Sequence, residues 1–166
     1  MTTLKLENHN PVDVIYVDFA KAFDKVPHER LLIKLKHFGI NGDLHLWLSS
    51  YLKNRFFQVK VGNTLSSTKS AVSGVPQRSV LGPILFLIFF SDLSSLLTTK
   101  SSLYANDLKF YGNPTHTHQT LQTNINRLSY WSAVWQMPIN ADKCVALHLG
   151  SNNPMCAYDQ NQFLPT

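Results

Sequence analysis

The chain has 166 residues, of which 44% are apolar and 11% aromatic, a composition that excludes a largely disordered protein and suits one domain. Its formal charge of +5 and pI near 9.3 favour a polyanionic partner without identifying it. The sequence shows no secretory signal and no apolar run of about 20 residues, so we expect an intracellular protein with no membrane partner. Cys144 and Cys156 lack the spacing of a zinc site and are expected to be free thiols in a reducing compartment.

The first predicted element is a strand that ends on a carboxylate. Residues 12–19, VDVIYVDF, alternate with the two-residue period of a strand, which brings Asp18 to its C-terminal edge. Two packed helices are predicted next, because HERLLIKLKHFG and GDLHLWLSSYLKN carry apolar residues at helical spacing. The predicted buried faces are Leu31, Leu32, Leu35 and Phe38 in the first helix, and Leu44, Trp47, Leu48 and Tyr51 in the second.

A basic hairpin and a buried helix are predicted in the middle of the chain. RFFQVKVGNTLSSTKSAV has a Gly62-Asn63 turn, and the basic residues on or near this hairpin are Lys53, Arg55, Lys60 and Lys69. SVLGPILFLIFFSDLSSLL is apolar nearly all round, which predicts a buried helix. SSLYA and LKFYG predict a strand hairpin across Asn106-Asp107. A helix over residues 117–137 that ends at Pro138 and a last strand, CVALHL, follow.

The order of these elements predicts the fold class. Without the inserted helix pair and hairpin, the order is strand, helix, strand, strand, helix, strand, which is typical of the α+β, split β-α-β (ferredoxin-like) fold. Its first strand lies beside the hairpin of strands two and three, so Asp18 and Asp107 are expected to meet at one sheet edge. Carboxylates at one edge suit Mg²⁺, although Asp18 and Asn106-Asp107 are also common turn residues.

Four stretches match one known family in the same order. VIYVDFAKAFDKVPHERLLIKL, AVSGVPQRSVLGPILFLIFFSDL, LYANDLKFYG and WQMPINADKCVALHLG resemble the palm motifs of reverse transcriptases from non-LTR retrotransposons of the jockey-like and related LINE types. The resemblance covers about residues 12–155. It implies a polymerase palm core over residues 12–150, with a short extension at 1–11 and a polar tail at 151–166. It also implies an RNA-directed DNA polymerase with two Mg²⁺ ions, an RNA template, a DNA primer and deoxynucleotides.

The resemblance assigns roles to individual residues. Asp18 and Asp107 correspond to metal-binding aspartates, and the backbone carbonyl of Phe19 would be a further ligand. At this metal site, the family's primer 3′-hydroxyl attacks the α-phosphate of the nucleotide. Phe23 lies where the family has the aromatic gate against a 2′-hydroxyl, with a core aromatic as the alternative. Lys143 corresponds to a candidate general acid, with a surface lysine as the alternative. Asp24 matches a family position, but we assign it no metal role.

A loop in the second motif is expected to contact the nascent base pair. Ser73-Gly74-Val75-Pro76-Gln77 resembles the family loop, which implies that Gly74, Pro76 and Gln77 contact nucleotide or template, with Gln77 near both. The family has Gly where this chain has Arg78. Gly at that position permits close backbone approach and a positive φ, so we expect the guanidinium of Arg78 to crowd the nucleotide pocket, with phosphate binding as the alternative.

Two further departures predict that polymerase activity is small or absent. Asn106 replaces the first of two adjacent acids. The attraction between a carboxylate and a unit positive charge about 4 Å away is worth about 4 kcal/mol at an effective dielectric near 20, so its loss corresponds to roughly a thousandfold in rate. The second is truncation, since the family's fingers and thumb segments are not expected in a chain of this length. Phosphate contacts supply most of the affinity for primer and template, so their loss would weaken binding.

Other interpretations remain open at the level of sequence. A non-catalytic nucleic-acid-binding remnant that uses the basic hairpin would bind RNA or DNA in a salt-sensitive manner that Asp18→Ala leaves unchanged. A pseudogene product cannot be separated from that remnant. An RNA-binding sheet module fits the strand order but lacks the aromatic strand signature. His116 and His118 have no third ligand nearby and are interpreted as exposed residues before a helix.

Overall fold

A computed structural model describes residues 10–53 and 55–159 of the chain. Asn54 and the outer parts of the predicted extension (1–11) and tail (151–166) lie outside the described residues. The described residues form two compact units. The first contains residues 10–20, 92–134 and 138–159, and the second contains residues 21–91 and 135–137.

The elements follow the order that the sequence predicts. In chain order they are β1 (Val12–Asp18), α1 (Ala22–Lys25), α2 (His28–His37), α3 (Gly42–Lys53), β2 (Phe56–Phe57), β3 (Lys60–Val61), β4 (Thr64–Leu65), β5 (Lys69–Ser70), α4 (Leu81–Phe90), α5 (Leu93–Leu96), β6 (Lys100–Tyr104), β7 (Asp107–Gly112), α6 (Pro114–Trp135), a 3₁₀ turn (Ala141–Lys143) and β8 (Val145–Leu149). Within the described ranges, no helix is both long and apolar enough to cross a membrane.

The first unit is built on a four-stranded antiparallel sheet of order β6-β7-β1-β8. This order confirms the split β-α-β prediction, with β1 in the interior between β7 and β8. Alternation along β1 buries Ile15 and Val17, which lie opposite the buried Phe110 and Leu108 of β7. The helix α6 adds its own buried stripe to this core: Leu121, Ile125, Leu128 and Trp131.

The hairpin between β6 and β7 turns one residue earlier than predicted. Tyr104 pairs with Asp107, so the two loop residues are Ala105 and Asn106, and Asp107 begins the second strand. Ala105 has a φ of 53°, which a two-residue turn of the II′ type requires at its first position. The right-handed twist of the strands selects this turn, and it leaves the side chain of Asn106 at the tip beside Asp107.

The start of α6 also differs from the prediction. The helix begins at Pro114, so His116 and His118 lie inside its first turns and not before it. Asn113 provides the local cap, because its side-chain oxygen accepts a hydrogen bond from the backbone N–H of Thr115 at 2.9 Å. His118 is half-buried, and its Nε2 lies 3.2 Å from the carbonyl oxygen of Ala157.

The described part of the predicted polar tail packs against the sheet through a buried carboxylate. Asp13 in β1 is fully buried. Its Oδ1 lies 2.8 Å from Nδ1 of His148 and accepts a hydrogen bond from Asn153 Nδ2 at 2.7 Å, and its Oδ2 accepts one from the Tyr158 hydroxyl at 2.6 Å. Buried carboxylates require such partners, so these contacts attach residues 153–158 to the first unit.

Tyr158 gives this attachment a pH dependence. Burial and the hydrogen bond to Asp13 raise the pKa of the Tyr158 hydroxyl above its ordinary value near about 10. Folding therefore favours the protonated hydroxyl, and its contribution is complete below about pH 10 and is lost as the pH rises further. We expect the unfolding free energy to fall more steeply above about pH 10 in the native chain than in Tyr158→Phe, as measured by urea unfolding across that range. Parallel curves for the two proteins would contradict this.

The second unit contains a helical core and the basic hairpin. Leu31 and Leu35 of α2 are fully buried, and α2 packs against both α3 and α4. Lys34 is also buried, with its ammonium 4.1 Å from the ring centre of Trp135, where the aromatic face stabilises the charge. The hairpin prediction is confirmed, because Val61 pairs with Thr64 across the Gly62-Asn63 turn.

The predicted buried faces of α2, α3 and α4 need correction. Phe38, which directly follows α2, is exposed. In α3, Leu44 and Trp47 are exposed, and the buried residues are Leu48 and Leu52. In α4, Ile84 and Leu87 are exposed, so this helix has one buried face and is not buried all round. Helical spacing identified these helices, but the rotation of each helix is decided by the helices it packs against.

Candidate active site

The antiparallel pairing of β1 and β7 brings two acidic residues together at one edge of the sheet. Asp18, the last residue of β1, lies directly opposite Asp107, the first residue of β7. Residues paired in this way have Cβ atoms about 4.5–5.5 Å apart and side chains on the same face. The carboxylate of Asp18 is only 21% exposed, whereas Asp107 is exposed. The two carboxylates would repel each other without compensating groups.

Nitrogen donors from three residues surround the Asp18 carboxylate. Asn106 Nδ2 donates to Asp18 Oδ1 at 3.2 Å and, in a weaker contact, to Asp107 Oδ1 at 3.4 Å. Asn140 Nδ2 donates to Asp18 Oδ2 at 3.3 Å, and Lys143 Nζ lies 3.8 Å from the same oxygen. These donors offset the repulsion between the two carboxylates, and among them only Lys143 carries a positive charge.

Asn140 is the site residue that sequence reasoning missed. Its backbone N–H donates to the carbonyl oxygen of Asp18 at 2.8 Å, and its own carbonyl accepts from the backbone N–H of Lys143 at 3.0 Å. The Cys144 thiol also donates to this carbonyl at 3.3 Å, and burial raises the pKa of that thiol, which keeps it a donor at neutral pH. The available signal was the spacing, since Asn140 lies three residues before Lys143, at the start of a 3₁₀ turn.

The residues at this edge do not fit a pair of Mg²⁺ ions. Mg²⁺ requires oxygen ligands in near-octahedral geometry, and the described residues contain no group of three or more His, Cys, Asp or Glu side chains that could hold a metal ion. Asn106 points its N–H groups toward the carboxylate oxygens that a cation would need. Turning its amide to offer Oδ1 would break its hydrogen bonds to both aspartates. The predicted role of the Phe19 carbonyl as a metal ligand stays a prediction.

The second unit holds the loop that was predicted to contact the nascent base pair. Gln77 Nε2 donates to Asp24 Oδ1 at 2.7 Å, and Ser73 Oγ donates to the backbone carbonyl of Asp24 at 2.8 Å. Gly74 has a φ of 88°, and a Cβ there would lie 2.8 Å from the carbonyl oxygen of Asp24. Only glycine fits this close approach. Asp24 therefore holds the loop and orients Gln77, which explains an acid at that position without a metal role.

The predicted residues of this unit differ in their burial. Phe23 is half-buried and stacks on Phe86 with ring centres 4.0 Å apart and planes within 6°. This contact fits the core-aromatic alternative, and the gate role stays a prediction. Pro76 is buried, whereas Gln77 and Arg78 are exposed.

Arg78 has a strained backbone. Its φ is 62°, in the left-handed region that costs a non-glycine residue about 1 kcal/mol or more. We expect Arg78→Gly to raise the unfolding free energy by up to about 1 kcal/mol, because the relief of strain exceeds the entropy that glycine adds to the unfolded chain. Arg78→Ala, which removes the guanidinium but keeps Cβ, should give no comparable gain. Denaturant unfolding checks this, and equal stability of the two variants would contradict it.

The basic residues of the hairpin differ in their availability. Lys53 Nζ lies 2.6 Å from Glu29 Oε1, and this hydrogen-bonded pair lowers the pKa of the Glu29 carboxyl. Lys60 and Lys69 are exposed, and Arg55 is half-buried. Lys60 and Lys69 are therefore more accessible to a phosphate than Lys53 is.

Comparisons with a family model and with known proteins all point to one family. A family model described as "Reverse transcriptase (RNA-dependent DNA polymerase)" matches residues 4–164. The chain is 30% identical over 162 residues to the RNA-directed DNA polymerase from mobile element jockey of Drosophila melanogaster, covering 91% of this chain and 18% of that protein. It is 32% identical over 143 residues to the probable RNA-directed DNA polymerase from transposon X-element of the same species, covering 78% and 15%. The chain thus spans less than a fifth of these relatives.

A solved structure has a similar fold. Apo telomerase from Candida tropicalis superposes with a TM-score of 0.66 at 12% identity, covering 89% of this chain and 30% of that chain. At this identity the likeness concerns the fold alone. It agrees with the split β-α-β sheet found in the first unit.

Proposed function

Since this chain belongs to the reverse transcriptase (RNA-dependent DNA polymerase) family, we propose that it is the palm segment of a non-LTR retrotransposon polymerase with little or no catalytic activity. By descent, its substrates are an RNA template, a DNA primer and deoxynucleotides, and its cofactor is Mg²⁺. The palm core comprises residues 12–150.

One observation carries the proposed loss of activity. Asn106 donates hydrogen bonds to both Asp18 and Asp107, at the point where the family resemblance implies a third carboxylate. An amide in place of a carboxylate removes a full negative charge from the edge and presents N–H groups to any approaching cation. We therefore propose no catalytic step at this edge in the chain as it stands.

Two contacts support the roles proposed for other residues of the polymerase. The contact between Gln77 and Asp24 keeps the SGVPQ loop in a defined conformation, which supports a role for Gln77 beside template and nucleotide. Lys143 lies within ion-pair distance of Asp18. This contact supports a role for Lys143 as a cation near the reacting phosphates. The general-acid role of Lys143 is also part of our proposal.

A second candidate function is nucleic-acid binding without catalysis. The exposed Lys60 and Lys69 of the hairpin favour it, because phosphate contacts by such residues do not require the acidic edge. Under this candidate, the restoration of Asp at position 106 would leave the protein without polymerase activity.

Mg²⁺-dependent primer extension on an RNA template tests the proposal. The native chain is compared with Asn106→Asp and with Asn106→Asp combined with Arg78→Gly, and Asn106→Ala is the matched control that removes the amide without adding charge. Each chain is also tested after extension with the fingers and thumb segments of a jockey-type relative. We expect templated extension by the extended double variant, a smaller amount by the extended Asn106→Asp chain, and little or none by the native chain and the control. Extension by the native chain equal to that by Asn106→Asp would contradict the proposed inactivity. No extension by any variant, together with salt-sensitive binding of RNA or DNA that Asp18→Ala leaves unchanged, would favour the second candidate.

A further inference from the structure

One edge of the sheet in the first unit is unguarded. In the order β6-β7-β1-β8, the strands β6 and β8 lie at the two edges. An edge strand leaves a row of backbone N–H and C=O groups unpaired, and proteins commonly protect such a row with charged side chains. β6 begins with the exposed Lys100, whereas β8, with the sequence VALHL, contains no Asp, Glu, Lys or Arg. We therefore examine β8 as a site of strand pairing.

The pairing of β1 shows which backbone groups of β8 point outward. The carbonyl of Asp18 accepts a backbone hydrogen bond from the segment that precedes β8. Backbone groups alternate in direction along a strand, so Tyr16 also bonds toward β8, where its partner is Val145. By the same alternation, the N–H and C=O groups of Ala146 and His148 point away from the sheet. Within the described ranges, these four groups have no hydrogen-bond partner.

The described part of the tail packs away from this edge. The hydroxyl of Tyr158 donates to Asp13, whose side chain lies on the same face of β1 as the buried Ile15. The backbone N–H of Asp159 donates to Gln122 Oε1 of α6 at 2.9 Å. These contacts place the tail beside α6. The described tail residues therefore form no strand along β8.

An apolar row accompanies the outward backbone groups. Val145, Leu147 and Leu149 alternate on one face of β8 and are 45%, 43% and 37% exposed. Tyr16 extends the row onto β1, because it lies opposite Val145 and is 40% exposed. Exposed apolar side chains on an unguarded edge strand are typical of a surface that associates with another strand.

The backbone of β8 is complementary to itself. When two copies of β8 run antiparallel about a two-fold axis at Leu147, Ala146 of each copy lies opposite His148 of the other. Each such pair exchanges two N–H···O bonds, so four hydrogen bonds use all the outward groups of both strands. A different protein would have to supply the same spacing of donors and acceptors. A second copy of this chain supplies it by symmetry.

The side chains agree with the same register. Leu147 meets Leu147 of the second copy, and Val145 meets Leu149, so the apolar row continues across the axis. At the end of the strand, Lys143 lies opposite Ser151 of the second copy. Like charges therefore do not face each other in this pairing, and apolar groups face apolar groups.

We propose that β8 pairs with β8 of a second copy of this chain, antiparallel about Leu147, to form a two-fold dimer with a continuous eight-stranded sheet. This dimer goes beyond the proposed function, because it uses neither the acidic edge nor the basic hairpin. An interface of one strand per copy is small, so the dimer should dissociate on dilution with a Kd of roughly 1–100 μM. Two-fold pairing uses up the edge and stops assembly at the dimer.

Sedimentation velocity on the whole chain, at concentrations up to about 300 μM, tests for this dimer. We expect the mass to rise with concentration from 18.8 kDa toward twice that value. Leu147→Lys places two ammonium groups opposite each other at the axis and should remain monomeric. Tyr104→Lys is the matched control, because Tyr104 is 81% exposed on the same face of β6, the other edge strand. It should dimerise like the native chain.

Disulfide cross-linking tests the register without the Lys variant. In Leu147→Cys the two Cα atoms lie about 4.5 Å apart across the axis, within the range that a disulfide spans. In Val145→Cys they lie about 14 Å apart, which is too far. Under copper-phenanthroline oxidation we expect strong linkage in Leu147→Cys and in Val145→Cys combined with Leu149→Cys. Val145→Cys alone should link no more than the native chain, whose free thiols are Cys144 and Cys156.

The outcomes decide the proposal. Concentration-dependent dimers in the native chain and in Tyr104→Lys but not in Leu147→Lys, with a 147–147 bridge found by mass spectrometry, would support it. A native chain that stays at 18.8 kDa at every concentration would overturn it, as would dimerisation of Leu147→Lys as strong as that of the native chain. Cross-linking of Val145→Cys as strong as that of Leu147→Cys, or growth beyond the dimer, would also overturn it.

Discussion

Asn106→Asp is expected to make the stability of the protein depend on divalent cations. In EDTA, the substitution removes the hydrogen bonds from Asn106 to Asp18 and Asp107 and adds a third negative charge beside them. Hydrogen bonds to charged groups are worth about 1.5–3 kcal/mol, so we expect a loss of about 2 kcal/mol. In Mg²⁺ at about a hundred times its Kd, binding should return about 2.7 kcal/mol. Thermal unfolding in EDTA and in Mg²⁺ measures both effects.

The native chain and Asn106→Ala are the controls for this result. The native chain has an amide at position 106, and Asn106→Ala loses the donors without gaining a charge. Neither should be stabilised by Mg²⁺ beyond the small effect of ionic strength. A Mg²⁺-dependent rise in the native chain as large as that in Asn106→Asp would contradict our account of the edge.

Asp13→Ala is expected to lower the unfolding free energy by about 3–5 kcal/mol. Asp13 is fully buried and is the shared acceptor for His148, Asn153 and Tyr158. Removing one partner from a buried polar network leaves the others without their bonds, which costs far more than a surface substitution. The loss should also release the segment that contains Tyr158 from the sheet.

Urea unfolding gives the magnitude, and proteolysis reports on the released segment. Asp13→Asn is the matched control, since its amide keeps one acceptor oxygen in the same volume, and it should be destabilised less than Asp13→Ala. A loss below about 1 kcal/mol in Asp13→Ala, without new cleavage after residue 150, would show that this cluster does not stabilise the protein.

The sheet and its acidic edge could be predicted because local signals determine them. The two-residue alternation of β1 and the order of strands and helices fix which strands pair, and antiparallel pairing then places Asp18 opposite Asp107. The prediction missed the turn by one residue because Asn and Asp both favour turns. The twist of the hairpin, which sequence does not report, selected Ala105 and Asn106 as its loop.

The parts that could not be predicted depend on tertiary contacts. The buried face of α3 is set by packing against α2, so Trp47 lies in solvent although its spacing favoured the core. In the sequence, nothing distinguishes Asp13 from an exposed polar residue of a strand. Its partners His148 and Tyr158 are more than 130 residues away in the chain and reach it only in the folded protein. Asn140 belongs to the site through its contacts with Asp18, and its position three residues before Lys143 is the one signal of this in the sequence.

We propose that Asn106, by donating hydrogen bonds to Asp18 and Asp107 where the family has a carboxylate, leaves this edge without a functional site for a divalent cation. Site-resolved paramagnetic broadening by Mn²⁺, measured on the backbone amide signals of Asp18 and Asp107, tests it most directly. We predict no localised, saturable broadening of these signals in the native chain, and strong broadening confined to this edge in Asn106→Asp. Saturable broadening at Asp18 and Asp107 in the native chain would contradict the claim.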